Sequence, residues 1–252
     1  KINQRFKTVS INMLFPESFL KKKKFFRKIQ IREEKNLKSI KYFIGRTEWD
    51  KRISEILSPN SNYFHNDEIL REGFYLQKWN KKRGEKLILH TTNGNVFYKG
   101  FETLCLTLNL LNKLGMKTEW RVAGIKKDDL IVDVVKKKLG NNFPQNGLYL
   151  LGNLSEKELI VKLLEADIYI MTSHIENSPN NLCEAMMLGI PSIATYVGGT
   201  GSLMKNGEDG ILIQDGDPWS MTGAIMELKH DISKAQLYGN NARKKALLRH
   251  NK

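Results

Sequence analysis

The chain has 252 residues, 40% of them hydrophobic, enough for one full core and part of a second, and carries a formal charge of +14. No apolar run reaches the roughly 18–20 residues of a membrane-spanning helix, which excludes a helical integral membrane protein over this stretch. Its two cysteines, Cys105 and Cys183, are far apart and outside Cys-x-x-Cys spacing, which argues against a disulfide scaffold and predicts a reduced, cytoplasmic protein.

The chain opens at Lys1, which fits a fragment of a longer protein, and a trimmed start would also hide any leader. Residues 1–50 hold 14 Lys and Arg against 5 Asp and Glu, a net +9. The run Lys21–Lys24, followed by Phe25, Phe26, Arg27 and Lys28, is the densest patch. Such a patch is read in three ways: a solvated face, a contact with anionic lipid headgroups, or a contact with nucleic acid phosphates. Short apolar segments, Val9–Phe15 and Tyr42–Ile44, interrupt it. Residues 1–66 are read as a partial N-terminal region and residues 67–85 as a polar, Lys-rich linker.

From Lys86 onward strand and helix patterns alternate. Leu87–His90 is a short apolar run, as a buried parallel strand requires. Phe101–Leu114 places Leu104, Leu108 and Leu111 on one helical face, and Gly115 stops it. Strand at Thr118–Ala123 and helix at Ile125–Leu139 follow, then strand at Leu148–Leu151 and helix at Glu156–Ala166. Ile168–Met171 is strand, Asn181–Leu188 helix, Ser192–Tyr196 strand, and Gly210–Ile213 a last strand. Asp217 with Pro218 opens a helix to about Leu228, and Ile232–Arg249 is a basic helix. This alternation predicts an α/β domain, a doubly wound, Rossmann-like parallel sheet over residues 86–252. Ligands in such sheets bind beyond the carboxyl ends of the strands, here the loops near 91–99, 152–155, 172–181 and 196–202.

One of those loops carries most of the chemistry. Glu176 follows the strand at Ile168–Met171, Asn177–Asn181 are turn and cap types, and Pro179 suits a helix start. Free amides at that start form an anion site suited to a diphosphate. Glu184 falls about a turn into the helix, and a carboxylate there can accept hydrogen bonds from vicinal hydroxyls. Ser155 with Glu158 makes a capping box. Lys99 precedes a helix start, where a cation opposes the helix dipole unless an anion binds beside it.

Glu176 and Glu184, eight apart, with Ala185-Met186, Gly189, Pro191 and Gly198-Gly199 after them, resemble the E-x7-E signature of retaining GT-B glycosyltransferases, most of all glycosyltransferase family 4. Tyr98-Lys99-Gly100-Phe101 resembles that family's Lys-Gly step, and Leu150–Glu158 resembles the loop bordering the nucleobase. The resemblance covers most of residues 86–230 and implies a GT-B type fold with an incomplete or reduced N-terminal acceptor-domain portion. Lys41–Tyr75 resembles only loosely the end of that domain and the crossing segment. By the resemblance, Glu184 would hold the nucleotide ribose, Glu176 the donor sugar, and Lys99 the diphosphate. Asn177, Ser178, Pro179, Asn180 and Asn181 would line sugar and phosphate, and Gly152, Asn153 and Leu154 the base. Two positions depart from the family pattern. The arginine often found five residues before the lysine is Gly94 here, and a glutamate common three after the Gly-Gly pair is Ser202.

His174 is read as a hydrogen-bonding spacer beside the motif, with a base or ligand role as the alternative. No histidines stand at metal-ligand spacing and no Asp-x-Asp sits in a suitable loop, so no metal and no cofactor are expected. The resemblance implies transfer, with retention, from a UDP- or GDP-linked sugar to a glycan or lipid-linked hydroxyl, in surface polysaccharide, capsule, lipopolysaccharide or glycolipid synthesis. The cysteine usage points to a cytoplasmic enzyme and the basic N-terminal region to peripheral contact with the inner face of the membrane, with no nucleic acid partner expected. The alternative is a nucleotide-sugar-binding fragment, inactive without a full acceptor domain.

Overall fold

The structure, a computed structural model, describes residues 16–82 and 84–251, with side chains from Lys24 onward. Val9–Phe15 and the side chains of Lys21–Lys23 lie outside this description. The chain divides into two compact units, one up to Gly45 and over Lys51–His65, the other comprising Arg46–Asp50 and Asn66 onward.

The first unit is small. Helix α1 (Pro16–Lys38) carries the basic patch, and Phe25 and Phe26 on it are exposed. Strands β1 (Tyr42–Gly45) and β2 (Asn62–His65) pair in parallel, Tyr42 opposite Asn62 and Gly45 opposite His65. Lys51–Leu57 of helix α2 (Glu48–Leu57) belongs here as well, and the Ser58 hydroxyl just after it donates to the Ile40 carbonyl at 2.9 Å.

The second unit is the α/β domain. In chain order it contains α3 (Glu72–Leu76), β3 (Leu87–Thr92), α4 (Phe101–Lys113), β4 (Thr118–Ala123), α5 (Leu130–Leu139), β5 (Leu148–Gly152) and α6 (Glu156–Leu164). It continues with β6 (Ile168–Met171), α7 (Asn180–Leu188), β7 (Ser192–Thr195), α8 (Thr200–Leu203), β8 (Ile211–Ile213), α9 (Pro218–His230) and α10 (Ile232–Arg249). The sheet is parallel throughout, in the order β5-β4-β3-β6-β7-β8.

Local chemistry explains the boundaries. Asp217 accepts from the amides of Trp219 and Ser220, and Pro218 fits the first turn of α9, where its missing N–H costs nothing. Ser155 and Glu158 close the capping box on α6, with the Ser155 amide donating to Glu158 at 2.8 Å. Several expected boundaries differ by one or two residues, and the start of α5 moves furthest. The side chain of Asp129 accepts from the Lys126 amide at 2.7 Å, a turn that delays α5 from Ile125 to Leu130.

Two apolar layers sandwich the sheet. Phe101, Leu104, Leu108 and Leu111 of α4 pack with Trp120 of β4 and Ile225 and Leu228 of α9 on one face. Leu159 and Leu163 of α6 and Leu182 and Met186 of α7 pack on the other. Residues 67–85, expected as a polar linker, belong to this second layer. Leu70, Phe74 and Trp79 are buried in it, the Trp79 indole donates to the Ala166 carbonyl at 2.7 Å, and Lys81 pairs with buried Asp167 at 2.8 Å. An apolar spacing of four, Leu70 to Phe74, outweighs the surrounding lysines. No helix among the described residues is long and apolar enough to cross a membrane.

Candidate active site at the sheet's switch point

Strand order reverses between β3 and β6, because β4 continues from one side of β3 and β6 lies on the other. The crevice beyond the ends of these two strands is where open α/β sheets bind ligands. Thr92-Asn93 and Thr172-Ser173 leave the strands at that point, and β6 leads through Glu176 into the N-terminus of α7.

Lys99 and Glu176 meet here: Nζ lies 2.5 Å from Oε1, and the Ser173 hydroxyl donates to the same oxygen at 2.7 Å. The Lys99 step is strapped to the end of β6. The Thr172 hydroxyl donates to the Lys99 carbonyl at 3.0 Å, and the His174 amide to the Tyr98 carbonyl at 2.7 Å. Gly100 makes this approach possible, since a Cβ there would sit 1.9 Å from the Thr172 carbonyl oxygen. Across the loop, the Gly199 amide donates to the Glu176 carbonyl at 3.1 Å.

The asparagines around the helix start are held by their side chains. Asn177 accepts from the Thr47 hydroxyl at 2.6 Å and donates to Asp50 at 2.8 Å. Ser178 donates to Glu68 at 2.8 Å, Arg46 donates to Asn180 at 3.5 Å, and Asn181 donates to the Thr92 carbonyl at 2.7 Å while accepting from the Leu182 amide. Pro179, with extended backbone, occupies the cap position of α7. With these side chains committed elsewhere and the Leu182 and Cys183 amides donating to the Pro179 carbonyl, the Asn180 and Asn181 amides are what this end of α7 offers a ligand.

Glu184, buried one turn into α7, is gripped by Arg71 through both oxygens, at 2.8 and 2.9 Å. Burial pushes the Glu184 carboxyl up, and Arg71 pulls it back only in part. Arg71 is the site residue that the sequence reading missed. It sits within the supposed linker, and the apolar pair Leu70 and Phe74 around it was the available signal. Gly152 ends β5 and Asn153 and Leu154 lead from it towards α6, whose first residue, Glu156, adds like charge to the field at Glu184. That relation puts the start of α6 on the Glu184 side of the crevice.

His174 is a clamp in this structure. Its ring nitrogens face Glu102 of α4 at 2.6 Å and Asp215, after β8, at 3.2 Å. The hydrogen bond to Glu102 raises its pKa above the ordinary imidazole range. Gly94 supplies no side-chain cation, and Ser202 donates no carboxylate; its hydroxyl instead accepts from the Glu48 amide at 3.1 Å. Elsewhere among the described residues, Glu68, Cys183 and His250 bring three ligand-type atoms within 4.8 Å. His250 Nδ1 donates to the Glu68 carbonyl there, and burial holds the Cys183 thiol protonated.

Residues 73–245 match the family described as glycosyl transferases group 1. The chain belongs to that family. An uncharacterized glycosyltransferase of Methanocaldococcus jannaschii is 30% identical over 108 residues, 42% of this chain and 28% of that protein. Among solved structures, a sucrose-phosphate synthase from Thermosynechococcus elongatus matches 87% of this chain and 56% of its own at 18% identity, with a TM-score of 0.76. An Anabaena protein solved with UDP and glucose matches 82% of this chain and 58% of its own at 16% identity, with a TM-score of 0.66. The chain therefore spans between about a quarter and three fifths of the length of these proteins, and the structural likenesses bear on the GT-B fold.

Proposed function

We propose that the junction from Thr172 to Glu184 binds a nucleotide-diphosphate sugar, and that the protein transfers the sugar to an acceptor hydroxyl with retention, as in family 4. One observation carries this reading. A lysine, a carboxylate and the N-terminus of α7 converge at the switch point of the sheet, with a second buried carboxylate one turn along the same helix.

The chemistry follows from what each group can do. In the free protein Lys99 is neutralised by Glu176. An arriving diphosphate competes for Lys99 and for the amides of α7, leaving Glu176 to accept hydrogen bonds from the sugar. During transfer the C1–O bond to the diphosphate breaks and a C1–O bond to the acceptor forms on the same face. The acceptor proton passes to the departing phosphate oxygen. Negative charge grows on that oxygen, and Lys99 with the helix amides stabilises it without reorganising. This route uses no metal and no protein nucleophile. Glu184 accepts from the ribose hydroxyls, and residues 152–154 border a uracil or guanine base.

For the acceptor, exposed Phe25 and Phe26 beside Lys24, Arg27 and Lys28 suit an anionic membrane surface. A lipid-linked or membrane-proximal glycan at the cytoplasmic face, in surface polysaccharide or glycolipid assembly, fits that surface. A second reading is a nucleotide-sugar-binding module that is inactive without a full acceptor domain.

Calorimetry with UDP, GDP and ADP on wild type and Glu184→Ala tests the donor site. One nucleotide is expected to bind wild type best, and the variant to bind it about tenfold or more weakly, the cost of losing charged hydrogen bonds. Unchanged affinity in the variant would remove Glu184 from the site.

A further inference from the structure

The grip of Arg71 on Glu184 has no place in the transfer step, yet it is built with care. Arg71 stands just before α3, where the Gly73 amide donates to Glu156 at 3.1 Å and ties the segment to α6. Its guanidinium lies 4.8 Å from the centroid of the Phe74 ring, and Phe74 is itself fully buried. That stacking leaves the fork little freedom, and both of its bonds land on Glu184. The Glu184 side chain is 8% exposed and that of Arg71 is 42% exposed, so the pair lies at the surface with the carboxylate on its inner side.

Glu184 needs such a partner. Burial disfavours its charge, and the other groups facing it do not help: Glu156 from α6 is a like charge, while Tyr169 from β6 and Cys183 on α7 are buried groups held neutral. A protonated carboxyl would lose half its capacity to accept. An ionised one offers roughly four acceptor sites, of which the fork of Arg71 uses two, leaving about two for a pair of vicinal hydroxyls.

We propose that Arg71 is a positioning residue of the donor site, holding Glu184 charged and in one orientation so that its remaining lone pairs meet the ribose hydroxyls. This rests on the reading of Glu184 as the ribose acceptor. It also gives residues 67–85 a functional task beyond connection.

The test compares wild type, R71Q and R71K by calorimetry with the preferred nucleotide between about pH 6 and about pH 8.5, beside a carbon-detected NMR titration of Glu184 without nucleotide. Wild-type affinity is expected to change little across this range. R71Q is expected to bind about tenfold more weakly at the acid end and to recover as pH rises, with the Glu184 midpoint moved upward. R71K, which keeps the charge, should retain the flat profile at somewhat reduced affinity. R71Q binding like wild type at every pH would overturn the proposal. So would an equal loss at all pH values with an unmoved Glu184 midpoint, the mark of a merely structural residue. Wild type binding none of UDP, GDP and ADP is a different failure, since it sinks the donor-site reading itself and takes this proposal down with it.

Discussion

Replacing Lys99 by alanine is expected to lower sugar transfer by roughly 10²–10³-fold, the cost of removing one preorganised donor from a site of developing negative charge. The size of the effect follows from the surroundings of Lys99. Gly94 leaves the usual second cation position without a charge, so Lys99 is the cation that the junction itself directs at Glu176. Its side chain is 20% exposed and the Glu176 carboxylate 10%, which limits compensation by solvent ions. The measurement is kcat/KM for the nucleotide sugar, with UDP affinity alongside. A thermal melt separates the loss from unfolding, because the variant leaves the Glu176 carboxylate, among the described residues, with the Ser173 hydroxyl as its donor. Retention of more than about a third of wild-type turnover, less than 1 kcal/mol of barrier, would mean that the phosphate charge is met elsewhere.

Gly198→Ala is expected to destabilise the protein by about 2–4 kcal/mol and to abolish donor binding together with it. The backbone at Gly198 has φ near 50°, and a Cβ there would lie 1.8 Å from the Glu176 carbonyl oxygen and 3.0 Å from its carbon. Relief requires the loop after β7 to retreat from the loop after β6. That retreat breaks the bond from the Gly199 amide to Glu176 and moves the carboxylate off Lys99. Chemical denaturation measures the first effect and calorimetry with UDP the second. A variant with wild-type stability would mean that this loop has room that the backbone geometry denies.

The α/β domain was legible because its signals are local. The short apolar runs at Leu87 and Ile168 bury on both faces, and Pro218 and Ser155 mark helix starts whatever surrounds them. The Glu176-to-Glu184 loop was legible for the same reason, since strand, turn types and helix follow one another within twenty residues. Pairings across long sequence distance were not legible. Arg71 meets Glu184 across 113 positions, and Thr47 meets Asn177 across 130. The lysine-rich composition of residues 67–85 masks the burial of Phe74 and Trp79 in an apolar layer, at which the four-residue spacing of Leu70 and Phe74 alone hints. His174 was readable as a polar spacer, but its partners come from elsewhere in the chain, Glu102 from the first turn of α4 and Asp215 from the loop after β8. Charge patterning described the first fifty residues without describing α1, because helix propensity there competes with dense like charge.

The central claim concerns where a nucleotide diphosphate sits, and amide chemical-shift mapping during titration with UDP tests it most directly. The largest shifts are predicted at Glu176 to Ser178 and Asn180 to Leu182, with Lys99 and Gly100 moving alongside. Shifts concentrated elsewhere, for instance around the cavity of about 300 Å³ lined by Trp79, Lys81, Lys82 and Ile232, with the 172–184 junction unmoved at saturation, would contradict it.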